Sequence, residues 1–311
     1  MRIFFATDIH GSERAFRKFL AAAKAYEAGA LILGGDIAGK GLVPIRSVNG
    51  TLSARVRGES VTVAREEEPR LRAEINRMGF YSVIVDGEEY EHLESDAAHL
   101  DARFRREIKA QVEAWCTLAE ERLDPSVRCL ITPGNDDPVE IDAVLRSARR
   151  VECPEGELCD LGAVLVASCG DVTPTPWNTE REYPEEVLRE RLARILDKVP
   201  AGRKVVVNFH NPPFSSGLDF AAELDANLMP VIRGGRPSII PVGSKAVREV
   251  IKKYQPVVAL HGHIHESRGA QRIGKSMCLN PGSEYSADVL RGAIVDLDAS
   301  GGYIDFLFTS G

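Results

Sequence analysis

The chain has 311 residues, of which 44% are hydrophobic and 27% are charged, and its formal net charge is −7 at pH 7. This composition excludes the disordered and fibrous classes, and the acidic balance disfavours a protein that binds nucleic-acid backbones through clusters of lysine and arginine. No apolar run reaches the roughly 20 residues that cross a bilayer, so the expected location is cytoplasmic.

The N-terminal elements indicate a layered α/β fold. Residues 2–6 form a short apolar strand, and residues 12–26 carry a helical apolar stripe that includes Phe16 and Phe19. Residues 30–33 form a second apolar strand. A strand–helix–strand opening favours parallel pairing of the two strands within one sheet.

A segment of different character follows the second strand. Residues 51–57 and 60–66 flank a Gly58-Glu59 turn and are predicted to form a hairpin. A short helix that ends near Gly79, a strand at residues 81–85 and a long helix at residues 97–123 are predicted next. Acidic residues outnumber basic ones in this segment. We therefore interpret residues 40–124 as an inserted, cap-like α+β segment within a single domain of residues 1–311, and not as a nucleic-acid-binding arm.

The alternation of strands and helices resumes after the insertion. Strands are predicted at residues 128–131, 163–167, 204–209 and 257–260. Helices are predicted at residues 184–196 and 244–254, the second with Ser244 as its N-cap. Residues from about 276 onward are predicted to form short strands that close a second sheet.

Side chains that can bind metal ions follow five of the predicted strands. The five segments are Asp8-Ile9-His10, Gly34-Gly35-Asp36, Pro133-Gly134-Asn135-Asp136-Asp137, Asn208-Phe209-His210-Asn211-Pro212-Pro213 and His261-Gly262-His263-Ile264-His265. Ligands of open α/β sheets gather at the carboxyl ends of the strands, so these groups can converge. Carboxylate, imidazole and amide ligands suit Mn²⁺, iron or Zn²⁺. Two such cations about 3.5–4 Å apart can activate water and bind a phosphoryl oxygen.

In this order, the five motifs resemble the calcineurin-like metallophosphoesterase superfamily. The matching motifs are D-x-H at residues 8–10, G-D at residues 35–36, G-N-x-D at residues 134–137, H-x-P-P at residues 210–213 and G-H-x-H at residues 262–265. The Asn280-Pro281-Gly282-Ser283 loop is also similar, so the likeness spans residues 1–283 apart from the insertion. It implies a four-layer α-β-β-α sandwich, in which helices flank two mixed sheets and a large insertion follows the second strand.

The resemblance also implies a role for each matching residue. Two divalent metal ions (Mn²⁺, Fe²⁺/Fe³⁺ or Zn²⁺) would be held, the first by Asp8, His10 and His265, the second by Asn135, His210 and His263, and both by the bridging Asp36. A hydroxide between the metals would attack phosphorus in line, and the catalytic residues would be Asn135, which also orients the phosphate, Asp136 and His210. His261 matches no ligand position, which leaves either a substrate contact or a structural role.

The third motif departs from the family pattern at Asp136. Many members have a histidine here, which is assigned to transition-state stabilisation or to protonation of the leaving group, whereas Asp137 keeps the usual acidic position. An ionised aspartate can neither donate a proton nor offset phosphoryl charge. The sequence therefore predicts a preference for good leaving groups, such as those of anhydrides, aryl esters or some diesters.

Two classes of function are compatible with the sequence. The first is a metal-dependent hydrolase of phosphoester or phosphoanhydride bonds in a small molecule or nucleotide; a nuclease is a variant that the acidic charge disfavours. The second is a metal-binding scaffold or regulatory module with little activity, which the long insertion and Asp136 suggest. The presence of all seven predicted ligands favours the hydrolase.

Overall fold

The computed structural model of the protein describes residues 1–311. Its strands are β1 Arg2–Ala6, β2 Ala30–Gly34, β3 Gly41–Val48, β4 Thr51–Val56, β5 Glu59–Ala64, β6 Phe80–Val85, β7 Arg128–Thr132, β8 Leu158–Asp160, β9 Leu165–Cys169, β10 Val205–Phe209, β11 Phe220–Ala222, β12 Ile232–Arg233, β13 Arg236–Pro237, β14 Ile239–Pro241, β15 Val258–Leu260, β16 Gly269–Ile273, β17 Ser276–Asn280, β18 Arg291–Leu297 and β19 Tyr303–Ser310. Its α-helices are α1 Glu13–Ala25, α2 Glu68–Arg77, α3 Gly87–Ser95, α4 Ala97–Arg122, α5 Ile141–Ser147, α6 Glu185–Leu196 and α7 Lys245–Tyr254.

Eleven of these strands form two mixed sheets. The first sheet has the order β19-β18-β1-β2-β7, and the second has the order β16-β17-β15-β10-β9-β8. β1 pairs in parallel with β2, as the sequence predicted, and β2 pairs in parallel with β7. In the second sheet the neighbours β17, β15, β10 and β9 are parallel, and the edge strands β16 and β8 are antiparallel. Parallel neighbours bring the carboxyl ends of their strands to the same edge.

The two sheets pack face to face and helices cover their outer faces. Ile3 and Phe5 of β1 lie in the core between the sheets, together with Val206 of β10. Phe4 points the other way, into a core formed with α1, α4 and α5, because successive side chains of a strand point to opposite faces. A third core lies between the second sheet and helices α6 and α7, and it includes Val207. This layering confirms the predicted α-β-β-α sandwich.

The segment after β2 forms a third sheet with the order β5-β4-β3-β6 and a small core of its own. The predicted hairpin is present as β4 and β5. The last helix of the segment, α4, packs on the main body, where the Trp115 ring stacks on Phe16 with ring centroids 4.3 Å apart. The Trp115 indole N–H also donates to Glu13 Oε2 at 2.6 Å. Thus α4 also belongs to the helix layer over the first sheet, and residues 40–124 remain the proposed bounds of the insertion.

The prediction for the chain end was only partly right. β17 extends the second sheet, but β18 and β19 return to the first sheet, where β18 pairs with β1. Both sheets offer the same intersheet core to an apolar strand, so the sequence pattern cannot select between them. The helix α3 and the strand β3, which contains Pro44, were not predicted. No helix combines the length and the hydropathy that a bilayer span requires.

Candidate metal centre

The predicted ligands lie on loops that follow β1, β2, β7, β10 and β15, at one end of the two sheets. Two glycines let these loops approach one another closely. A Cβ atom at Gly35 (φ +104°) would overlap His210 Nδ1, and one at Gly134 would overlap Asp36 Oδ1. Glycine is therefore required at both positions, because a side chain would separate the loop after β2 from its neighbours.

Four of the predicted ligands adopt a left-handed backbone conformation. The φ angles are 53° at Asp8, 41° at His10, 49° at Asp36 and 67° at His263. Non-glycine residues in this region are uncommon and cost about 1–3 kcal/mol each, so the surrounding structure must hold them. Backbone hydrogen bonds of 3.0 Å do so, from Asp8 N to Gly35 O and from His10 N to Asp36 O. Such backbone strain concentrates at functional sites.

A first group of ligand atoms is formed by Asp8, His10 and His265. His10 Nε2 lies 3.0 Å from His265 Nε2, and His265 Nε2 lies 3.4 Å from Asp8 Oδ1. Asp8 and His10 are completely buried. Ligand atoms around a transition-metal ion sit about 2.0–2.2 Å from it, so atoms at these separations can share one cation.

A second group is formed by Asp36, His210 and His263. His210 Nε2 lies 3.3 Å from Asp36 Oδ2, and its Nδ1 lies 3.0 Å from the carbonyl oxygen of Gly34. That second contact orients the imidazole, as carbonyl partners do for metal-binding histidines. The six carboxylate and imidazole side chains that the sequence analysis named thus lie in two groups, and Asp36 lies in the group of His210 and His263.

The two groups are adjacent. His10 Nε2 lies 3.9 Å from Asp36 Oδ2, and His210 Nε2 lies 3.8 Å from Asp8 Oδ1. Asp36 is thus in contact with residues of both groups, which is the position expected of a bridging carboxylate. The seventh predicted ligand, Asn135, lies in the loop that contacts Asp36, where the backbone N–H of Asp136 donates to Asp36 Oδ1 at 3.0 Å.

Charges within the site compensate one another. Burial raises the pKa of Asp8, but His265 and His210 outweigh it and lower the pKa to about 2. Burial lowers the pKa of His210, but the Asp36 and Asp8 carboxylates outweigh it and raise the pKa to about 10. The Asp8 carboxylate is therefore ionised, and a bound metal cation would take the place of the proton on the His210 imidazole.

Unpartnered polar atoms provide a test of whether metal ions fit this site. Asn135 Oδ1, His210 Nε2 and His10 Nδ1 are buried and have no hydrogen-bond partner. A buried polar atom without a partner is costly, and coordination to a metal removes that cost for Asn135 Oδ1 and His210 Nε2. With the mixed carboxylate, imidazole and amide donors, these atoms fit two divalent cations of the transition-metal type.

Asp136 and Asp137 have different environments although they are neighbours. Asp136 accepts a hydrogen bond from Asn135 Nδ2 at 3.0 Å, and its Oδ2 lies 3.8 Å from Lys40 Nζ. Burial and the nearby Asp36 carboxylate raise the pKa of Asp136 to about 7. Asp137 instead accepts three backbone N–H donors, from Ile37 at 3.0 Å, Ala38 at 2.7 Å and Gly134 at 2.7 Å.

The His261 ring is buried, and its Nδ1 contacts the carbonyl oxygens of Phe209 at 2.8 Å and Asn211 at 3.1 Å. Its Nε2 has no hydrogen-bond partner. Two side chains that the sequence analysis missed do border the cluster: Lys40, and Tyr285, whose ring lies 4.8 Å from that of His10. Tyr285 follows the 280–283 loop closely and could have been suspected from it, whereas no local pattern distinguishes Lys40 from other surface lysines.

The four-layer fold thus carries two adjacent groups of side chains that could each hold a metal ion. No family model matches the chain. The uncharacterized protein MJ1162 of Methanocaldococcus jannaschii is 27% identical over 195 residues, which are 61% of this chain and 80% of that protein. TT1561 of Thermus thermophilus is 15% identical, with a TM-score of 0.52 over 100% of this chain and 97% of that one. Another solved structure, 15% identical, reaches a TM-score of 0.59 over 98% of each chain. The two structural likenesses show a common fold.

Proposed function

We propose that the protein is a metal-dependent phosphoesterase that hydrolyses a phosphoester or phosphoanhydride bond in a small molecule or nucleotide. The observation that carries the proposal is the contact of the two ligand groups, whose atoms approach within 3.9 Å of each other at Asp36. Two bound cations would lower the pKa of water to supply the nucleophile and would neutralise phosphoryl charge. Mn²⁺, iron and Zn²⁺ are the proposed cations, and the cytoplasm is the proposed location.

The chain's own residues provide positioning in this proposal. Asp8, His10 and His265 would hold one cation, Asn135, His210 and His263 the other, and Asp36 both. Asn135 would also orient the substrate phosphate, and its Nδ2 is held by Asp136 at 3.0 Å and by Thr179 Oγ1 at 3.2 Å. A fixed amide beside the reacting group lowers the entropic cost of aligning substrate and nucleophile.

Metal removal tests the proposal. We expect the purified protein to bind two Mn²⁺ per chain. We also expect it to hydrolyse p-nitrophenyl phosphate, bis(p-nitrophenyl) phosphate or the phosphoanhydride bond of a nucleotide. Dialysis against EDTA should abolish that activity, and added Mn²⁺ should restore it, because both the nucleophile and the charge compensation depend on the cations. Metal analysis and a phosphoester panel measure this. Two bound Mn²⁺ with no turnover of any substrate would favour the metal-binding scaffold.

Asp136 leads to a proposed substrate preference. With two cations bound beside it, Asp136 would be ionised and, unlike a histidine, could not protonate a leaving group, so aryl esters and anhydrides should react faster than alkyl monoesters. Asp136→His should raise turnover of an alkyl monoester such as glycerol phosphate by about 10², the effect of one general acid. The ratio of kcat values for alkyl and aryl esters measures the change.

Asp136→Asn is the matched control, because it removes the charge without adding an imidazole. It keeps the backbone N–H that donates to Asp36 Oδ1. Only the histidine variant should therefore gain alkyl-ester turnover. An equal gain in both variants, or an unmodified enzyme that is fastest on alkyl monoesters, would refute the preference.

A further inference from the structure

The carbonyl oxygen of Gly11 accepts two side-chain hydrogen bonds from the inserted segment. Asn76 Nδ2, at the end of α2, donates to it at 3.0 Å. Gln111 Nε2, in the middle of α4, donates to it at 3.1 Å. Two different helices of the insertion therefore converge on one backbone oxygen, and that oxygen belongs to the residue directly after His10.

The turn at His10 and Gly11 requires such support. Both residues are left-handed, with φ of 41° and 72°. Their N–H groups are held by the loop after β2, through His10 N to Asp36 O at 3.0 Å and Gly11 N to Ile37 O at 2.8 Å. The two amides of the insertion hold the carbonyl side. Hydrogen bonds therefore hold both the N–H groups and the Gly11 carbonyl group of the strained turn. This fixes the backbone conformation at His10 and so the orientation of its imidazole.

The insertion also holds the loop after β2. Gly39 N, in this loop, donates to the Tyr81 hydroxyl oxygen at 3.0 Å, and Lys40 N, where the insertion begins, donates to Gly79 O at 2.6 Å. Gly79 directly precedes β6 and Tyr81 is its second residue, in the same segment as Asn76. The loop that carries His10 and the loop after β2 that supports it are thus both hydrogen-bonded to the insertion. The contact at Gly11 is therefore one of several contacts between the insertion and these two loops.

The chemistry of the two donors suits a position beside a cation site. The amides of Asn76 and Gln111 are neutral, so they can donate to the Gly11 carbonyl oxygen without repelling a nearby metal ion. A lysine or arginine in the same place would repel the ion. Gln111 Oε1 is buried and has no partner. This unsatisfied oxygen indicates that the amide is oriented by Gly11, since buried polar atoms otherwise find partners.

From these contacts we infer that Asn76 and Gln111 are positioning residues that set the metal affinity of the group formed by Asp8, His10 and His265. The inference rests on the ligand role of His10 in the proposed function. It gives the insertion a part in the metal centre: loss of its contact at Gly11 would release the His10 turn and weaken one of the two metal sites.

The test removes both donors while keeping side-chain size and adding no charge. In the Asn76→Leu, Gln111→Met double variant of the full chain, we expect one of the two Mn²⁺ dissociation constants to rise about tenfold, the scale observed when outer partners of metal ligands are lost. Isothermal titration calorimetry of the metal-free protein with Mn²⁺ measures this, and EPR of the Mn²⁺ pair gives a second readout. The weakened site should be the one that His10→Ala abolishes.

Arg72→Ala is the matched control for general damage to the insertion. Arg72 lies one turn before Asn76 in α2, and its hydrogen bonds to Glu68 and Ser82 stay within the insertion. It should leave both Mn²⁺ constants within twofold of the unmodified protein. Unchanged constants in the double variant, or equal weakening by Arg72→Ala, would overturn the inference, as would an unmodified protein that binds no Mn²⁺. Two tight Mn²⁺ sites without any hydrolysis would count against the proposed phosphoesterase activity alone.

Discussion

Asp36→Asn should reduce bound metal from two ions per chain to less than one and lower kcat/KM by about 10³-fold. A loss of about 10³-fold in kcat/KM is typical when a major electrostatic contribution to catalysis is removed. Here that contribution is the proposed carboxylate bridge between two cations. The asparagine has the same shape, and its oxygen can still accept the hydrogen bond from Asp136 N. The loss would therefore report the missing charge, not a collapsed loop. Metal analysis and steady-state kinetics measure it.

Asp305→Asn provides the comparison for this prediction. Asp305 is an exposed carboxylate on the edge strand β19, and its side chain contacts only the N–H of the next residue, Phe306. The same chemical change there should leave metal content and activity unchanged. If Asp36→Asn kept two metal ions per chain, Asp36 would not be the bridge and the assignment of the two ligand groups would be wrong.

Asp137→Ala should lower the free energy of unfolding by about 3 kcal/mol and the melting temperature by about 6 °C. Its carboxylate is 1% exposed and accepts the N–H groups of Ile37, Ala38 and Gly134. Alanine leaves these three donors without a partner in a buried position, and each unsatisfied donor costs about 1–3 kcal/mol. The variant should also bind metal more weakly, because Asp137 joins the loop after β2 to the loop after β7. Thermal denaturation and Mn²⁺ titration measure the two effects.

Asp136→Ala is the control that shows how much of the lost stability is specific to the Asp137 carboxylate. The Asp136 side chain is 26% exposed and accepts one hydrogen bond, from Asn135 Nδ2. Its removal should change the free energy of unfolding by no more than about 1 kcal/mol. Melting temperatures within about 1 °C of each other for the two variants would show that Asp137 does not support the loops as we describe.

The elements that the sequence predicted well are those whose apolar pattern has one dominant period. The helix α7 begins after its Ser244 cap, and the Ser244 hydroxyl accepts the Val247 N–H at 3.1 Å. The strand β3 was missed because Pro44 and Arg46 interrupt its apolar pattern. Pairing with β6 and β4 stabilises it nonetheless. Tertiary partners can thus override a weak local preference.

The candidate metal site likewise combines features that the sequence predicts with contacts that only the tertiary structure creates. Residue types at strand ends, in a fixed order, were enough to predict which side chains come together, because the carboxyl ends of parallel strands meet at one edge. The contacts of Lys40 and Gln111 around this site could not be predicted. Both residues lie in the insertion, and only the packing of the insertion on the loops brings them close.

The sequence by itself therefore determined the layered fold and the side chains that can bind metal, since strand periodicity and ligand chemistry are local properties. Only the tertiary structure decided which sheet β18 and β19 join, that Asp137 holds two loops together, and that Asn76 and Gln111 meet at Gly11. These contacts join residues up to about 290 positions apart, from β1 to β18. Their partners are selected by the packing of whole layers, and no local pattern contains that information.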